Sequence, residues 1–129
     1  RADRAAIILC HTSNAGADEF QSLQIGERPL WALVAEQVAH HWNDNQNCML
    51  VVGATYPEVL AQVRPIVGDM PLLVPGIGAQ GGDVAAVVRQ GVDSRGRGLI
   101  INASRSIIFA GAPATAAKQL RDAINQHRA

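Results

Sequence analysis

The chain has 129 residues, 48% of them hydrophobic, and no formal net charge, so it can bury one ordinary core. Its neutrality argues against a general nucleic-acid or membrane surface, and no apolar run approaches the length that spans a bilayer. Cys10 and Cys48 lie in apolar runs and indicate small core residues rather than a disulfide or metal site, so we expect a cytoplasmic protein. From the length, we expect one segment, residues 1–129.

Four short apolar runs predict the strands of one sheet, and they lie at residues 5–10, 48–52, 72–74 and 99–102. Continuous apolar runs of this length are typical of strands that are buried on both faces. A helical pattern follows each run, and the four patterns open at Pro29, Pro57, Asp83 and Ala114. Consecutive strand–helix units imply parallel strands with right-handed crossovers, and therefore an α/β fold.

Two of the predicted helices carry further expectations. Ala117, Leu120 and Ile124 recur at helical spacing in the last helix, so we expect them to face the core. Lys118, the only lysine of the chain, falls on the outward side of the same helix. Gly91 follows the third helix, where a glycine commonly caps the C-terminus.

A polar loop follows the first strand and contains Thr12, Ser13 and Asn14. In parallel α/β folds, ligands bind at the carboxyl ends of the strands, which is where this loop lies. The same three residues are also typical of turns in which side chains bond the local backbone. Both interpretations, a ligand site and turn chemistry, remain open at this point.

The third strand runs into a glycine-rich loop that contains Pro75 and the glycines Gly76, Gly78, Gly81 and Gly82. A glycine-rich turn before a helix presents backbone N–H groups to an anion such as phosphate. The spacing differs from the G-x-G-x-x-G fingerprint, so a dinucleotide site is not indicated. An ordinary strand-to-helix loop with excess glycine would have the same composition.

Ser104 and Arg105 follow the fourth strand, one connection after the glycine loop. The guanidinium fork of an arginine there can bind the oxygens of the same anion. A complete (β/α)8 barrel has roughly 250 residues and often binds phosphate after its seventh and eighth strands. If this chain is the second half of such a barrel, its third and fourth strands occupy those two positions.

Four segments of the chain resemble the orotidine 5'-phosphate decarboxylase family, and most of all its longer bacterial subclass. They are residues 11–14 (HTSN), 51–57 (VVGATYP), 74–82 (VPGIGAQGG) and 101–107 (INASRSI). The third segment is the most diagnostic, and the order and spacing of all four are those of the C-terminal half of that barrel. The resemblance covers essentially the whole chain.

The resemblance implies a carbon–carbon lyase of pyrimidine synthesis that converts orotidine 5'-phosphate to UMP and CO2 without a cofactor. It implies that Ser13 bonds the pyrimidine edge and that Pro75 packs near the base. Gln80 would reach the phosphate and help to close the loop, while Arg105 would clamp the phosphate. The phosphate loop would comprise Gly76, Gly78, Gly81 and Ser104. A homodimer is implied as well.

One part of the family pattern is missing from this sequence. The family's catalytic group alternates aspartates and lysines and includes an Asp-x-Lys-x-x-Asp segment, which does not occur here. Ser104 also stands where many members have glycine. We therefore expect no catalytic residue in this chain, whose partner would be the missing N-terminal half of the barrel. Its first residue, Arg1, and the immediate strand favour the C-terminal part of a longer enzyme; the alternative is a phosphate-binding half-barrel module without a reaction of its own.

Overall fold

The computed structural model describes residues 1–78 and 83–128, which form a parallel sheet with helices packed on one face. In chain order the elements are β1 (Ala6–His11), α1 (Ala17–Phe20), β2 (Gln24–Ile25), β3 (Arg28–Pro29), α2 (Leu30–Gln37), β4 (Cys48–Val52), α3 (Pro57–Val67), β5 (Leu72–Pro75), α4 (Val84–Gly91), β6 (Leu99–Asn102), α5 (Arg105–Ile108) and α6 (Pro113–His127). A π-helical turn, Val38–Trp42, continues α2. Among the helices of this described part, none has the length and apolarity to cross a bilayer.

The main sheet has the order β1-β4-β5-β6, and every neighbouring pair is parallel. Each strand joins the next through a crossover that contains a helix, as successive strand–helix units require. The predicted strands at residues 48–52 and 99–102 have the predicted bounds, the first strand is shifted by one residue at both ends, and the third extends one residue further. The prediction of four parallel βα units is confirmed.

One face of the sheet is covered by helices and holds the core. Leu50, Val52, Leu72 and Val74 alternate along β4 and β5 and are fully buried. The predicted stripe of α3, which includes Leu60, packs against them. Burying one such side chain contributes roughly 1.5–3 kcal/mol relative to leaving it in water. The helices are therefore fixed to the sheet by the apolar patterns that predict them.

The other face of the sheet exposes apolar side chains. Ile7, Leu9 and Ile100 are 48%, 63% and 44% exposed, although they belong to strands whose other residues include buried (β1) or half-buried (β6) side chains. They lie on β1 and β6, the two strands at the edges of the sheet. Apolar residues on both faces are typical of a strand that is covered on both sides. This open face is named the inner face below.

Two predictions about helices are wrong in detail. Gly91 is the last residue of α4 rather than a left-handed cap, and Val92 follows it in extended conformation. A Cβ at Gly91 would lie 3.0 Å from a methyl group of Leu99, so this glycine allows close packing of the helix on β6. In α6, Leu120 packs against the core as predicted, but Ala117 is exposed.

Candidate functional site

A cleft of about 190 Å³ opens at the carboxyl ends of the strands, and it is called the strand-end cleft below. Its lining residues come from the segments after β1, β5 and β6, and they are Ser13, Pro75, Gly76, Ile77, Asn102, Ala103, Ser104 and Arg105. Five of the residues that the sequence singles out therefore lie together: Ser13, Pro75, Gly76, Ser104 and Arg105. Of the other three, Gly78 lies nearby in the same loop, and Gln80 and Gly81 fall outside the described residues.

The register of the sheet explains why these segments meet. Pro75 of β5 pairs with Asn102 of β6, so the two following loops leave the sheet at the same level. Ser13 follows β1, which is separated from β5 by β4. Its loop therefore has to cross the end of β4 to reach Pro75. The cleft is thus formed by segments that are distant in the chain, which the sequence predicts only through the parallel order of the strands.

The polar residues of the loop after β1 differ in their surroundings. The Thr12 N–H donates to Gln21 Oε1 at 2.7 Å, and the Thr12 hydroxyl donates to Asn14 Oδ1 at 2.5 Å. These bonds hold the loop in shape, but neither joins a side chain of the loop to the loop's own backbone. Ser13 lies between them and lines the strand-end cleft. The ligand-site interpretation of this segment therefore depends on Ser13 and stays a prediction.

The loop after β5 depends on glycine for its path. Gly76 and Gly78 have φ angles of 98° and 80°, in the left-handed region that other residues rarely adopt. A Cβ at Gly78 would also lie 3.2 Å from Ser106 Oγ, so this loop rests against the segment after β6. The two glycines thus allow the loop after β5 to pass close to the segment after β6.

Arg105 is the first residue of α5 and is exposed at the rim of the cleft. It forms no ion pair with any residue in 1–78 or 83–128. The neighbouring Ser104 adds a hydroxyl group to the same wall. A guanidinium with open donors beside a hydroxyl and left-handed glycines suits a phosphate group.

Sequence reasoning did not single out Ile77 and Asn102 as site residues. Ile77 lines the cleft and is only 2% exposed, while Asn102 is exposed at the end of β6. The register with Pro75 is the signal that identifies Asn102, because both residues end strands on the inner-face side of the sheet. An apolar residue within a glycine-rich loop, such as Ile77, carries no comparable signal.

Among the described residues that line the strand-end cleft, Arg105 alone carries a titratable side chain. Burial raises the pKa of the Cys10 thiol to about 12, and its Sγ donates to the Trp31 carbonyl at 3.3 Å. The buried His11 ring lies edge-on to Tyr56, with ring centroids 4.6 Å apart. Lys118 is exposed on α6. Within the described residues, no group of three or more His, Cys, Asp or Glu side chains is arranged to hold a metal ion.

Comparison with known proteins relates this chain to one family. Residues 1–120 match the family model described as "Orotidine 5'-phosphate decarboxylase / HUMPS family". Curated orotidine 5'-phosphate decarboxylases from Janthinobacterium sp. (strain Marseille) and Azoarcus sp. (strain BH72) are 54% and 51% identical, and each match covers 98% of this chain and 49% of the relative. The chain thus spans about half the length of these relatives.

Solved structures show the same half-length similarity. The structure of Leishmania donovani OMP decarboxylase matches with a TM-score of 0.92 and 42% identity, over 98% of this chain and 49% of that chain. Leishmania donovani UMP synthase matches with a TM-score of 0.95 and 46% identity, over 98% of this chain and 28% of that chain. The predicted fold, half of a TIM barrel, is confirmed.

Proposed function

Because this chain belongs to the orotidine 5'-phosphate decarboxylase / HUMPS family, we propose that it is the phosphate- and base-binding half of an orotidine 5'-phosphate decarboxylase. The observation that carries the proposal is the strand-end cleft, where Ser13, Pro75 and Arg105 meet from three distant segments. The substrate would be orotidine 5'-phosphate and the products UMP and CO2. No cofactor is part of the proposal.

The phosphate would bind at the Arg105 end of the cleft. The guanidinium and the Ser104 hydroxyl supply donors, and the left-handed Gly76 lets an anion approach the backbone. We propose that Gln80, together with Gly78 and Gly81, completes this end. Binding energy gained at the phosphate can stabilise a transition state at the other end of the substrate, because interactions with non-reacting groups serve to orient the reacting one.

The pyrimidine would bind at the Ser13 end. A serine hydroxyl can donate to one base atom and accept from another, which suits the mixed edge of a pyrimidine. Pro75 has no N–H and offers an apolar ring that can pack near the base. Both residues line the same cleft as Arg105, so one ligand can contact all three.

The chemical step needs groups that this chain does not carry. Decarboxylation breaks the bond to the departing CO2 and leaves a pyrimidine carbanion, which must receive a proton. Lys118 is exposed on α6 rather than directed to the cleft, and the sequence contains no Asp-x-Lys-x-x-Asp segment. We propose that the complementary half of the barrel supplies the proton donor.

The inner face supports that choice of partner. Ile7, Leu9 and Ile100 are apolar and exposed, and the edges of β1 and β6 are free to pair with further parallel strands. Four more βα units would cover this face and close the barrel. The two buried free cysteines support a reducing, cytoplasmic location, and a homodimer of the closed barrel remains part of the proposal.

The second candidate function is a half-barrel that binds phosphate ligands without a reaction. It is favoured by one observation: the residues that line the cleft include no carboxylate, lysine or histidine that could transfer a proton. Such a module would bind UMP as this chain stands and would need no complementary half.

Turnover by a completed barrel tests the proposal. In this protein, named the completed barrel below, the chain is joined to the half of the Janthinobacterium relative that it does not match. We expect the completed barrel to convert orotidine 5'-phosphate to UMP, and the chain alone to stay at background. Turnover by the chain alone that survives Lys118→Ala would contradict the assignment of the chemistry to the other half. A folded completed barrel that binds UMP without turnover would favour the second candidate.

A further inference from the structure

The dipeptide Gly53–Ala54 follows β4 and lies between the two walls of the strand-end cleft without lining it. The Gly53 N–H donates to the His11 carbonyl at 2.8 Å, on the β1 side. The Ala54 N–H donates to the Pro75 carbonyl at 2.9 Å, on the β5 side. Two consecutive amides therefore connect the wall that carries Ser13 with the wall formed by Pro75.

Gly53 also determines how closely the Ser13 loop can approach. A Cβ at position 53 would lie 2.7 Å from the Ser13 nitrogen and 2.8 Å from Ser13 Cβ. Gly53 is not among the residues with positive φ, so its backbone conformation is open to other residues. The requirement for glycine at this position is therefore one of space. Since the opposing atoms are mostly backbone, an added methyl group has to move the loop.

The Ser13 loop is held from its other side by Gln21. Gln21 Oε1 accepts the Thr12 N–H at 2.7 Å, one residue before Ser13. Gln21 Nε2 donates to the Thr12 hydroxyl at 3.0 Å. The loop is thus fixed between a side chain that bonds it and a glycine that leaves it room.

We propose that Gly53 is a positioning residue, which places Ser13 against the ligand while contacting no ligand itself. The inference rests on the proposed function, because it takes the pyrimidine base as the group that Ser13 contacts. Gly53 then acts on the base end of the site, and the phosphate end at Arg105 is independent of it. A residue that merely supports the fold would have no such preference for one end of the ligand.

The test is calorimetric titration of the completed barrel with uridine, UMP and ribose 5-phosphate. We expect Gly53→Ala to weaken uridine and UMP alike by roughly three- to tenfold, the worth of one neutral hydrogen bond, and to leave ribose 5-phosphate unchanged. Gly111→Ala is the matched control, because a Cβ there would meet no described atom within 4 Å and Gly111 has no positive φ. It should leave all three affinities unchanged.

A double-mutant cycle identifies the route of the effect. If Gly53 acts through Ser13, Gly53→Ala should add no further loss of uridine affinity in a Ser13→Ala background. Additive losses, or an equal loss for ribose 5-phosphate, would overturn the positioning role. If Gly53→Ala does not fold, Gln21→Leu releases the same loop, and Gln21→Glu, which keeps the acceptor, should restore binding. A parent completed barrel that folds and binds no UMP would instead contradict the proposed function itself.

Discussion

The exposed inner face makes a quantitative prediction about barrel closure. Ile7, Leu9 and Ile100 together expose the equivalent of about one and a half full side chains, so covering them would contribute roughly 2–5 kcal/mol. Leu9 is the most exposed of the three, at 63%. We expect Leu9→Ala to lower the free energy of unfolding by about 2–3 kcal/mol in the completed barrel, because there the substitution leaves a cavity. In the isolated chain the same substitution should cost less than about 1 kcal/mol.

Urea unfolding of both proteins measures this difference, with stability taken from the midpoint and slope of the transition. Leu50→Ala is the matched control, since Leu50 is fully buried by the helices and its loss should cost about 2–5 kcal/mol in either protein. If Leu9→Ala costs less than about 0.5 kcal/mol in the completed barrel, the inner face is not covered, and the closure argument is refuted. If the isolated chain shows no cooperative transition, the comparison of Leu9→Ala with Leu50→Ala in the completed barrel still decides the point.

Two further predictions concern stability. The Arg64 guanidinium donates to the carbonyls of Gly68, Met70 and Gly91 at 2.6, 2.8 and 2.9 Å. Arg64→Ala should therefore lower the urea midpoint by the equivalent of about 2–4 kcal/mol. Arg64→Lys should recover less than half of that loss, because an ammonium lacks the planar fork. Burial by itself raises the pKa of the Asp93 carboxyl, but hydrogen bonds from the Arg97 and Arg95 amides, together with the charges of the two guanidinium groups, outweigh burial, so the pKa lies below its ordinary 3.8. The ionised Asp93 therefore stabilises the fold fully above pH 3.8, and this contribution is lost as the pH falls through the lower pKa of the folded protein. Asp93→Asn should flatten the acid side of a plot of stability against pH.

The strands and long helices could be predicted from the sequence because each carries its own periodic signal. The apolar run at residues 48–52 and the stripe of α3 both contain enough residues to define a strand and a helix. The four-residue helices α1 and α5 and the two-residue strands β2 and β3 are too short to carry such a signal, and the sequence does not predict them. They depend on contacts between segments, as when the Trp31 N–H donates to the Gln21 carbonyl.

The candidate site was also predictable only in part. Parallel order alone brings the ends of β5 and β6 together, and the family resemblance singles out Ser13, Pro75 and Arg105. The close approach of Ser13 to Gly53 could not be predicted, because nothing in the sequence distinguishes a glycine needed for space from one needed for a turn. Gly91 illustrates the same ambiguity, since it is positioned like a cap and packs against Leu99.

In the proposed function, Arg105 binds the phosphate of a nucleotide that spans the strand-end cleft. The most direct measurement is calorimetric titration of UMP and uridine into the completed barrel and its Arg105→Ala variant, with Arg121→Ala, an exposed arginine on α6, as the control. A lost charged hydrogen bond is worth roughly 1.5–3 kcal/mol, so Arg105→Ala should weaken UMP about ten- to a hundredfold and leave uridine nearly unchanged. Equal losses for the two ligands, or no loss for UMP, would contradict the claim.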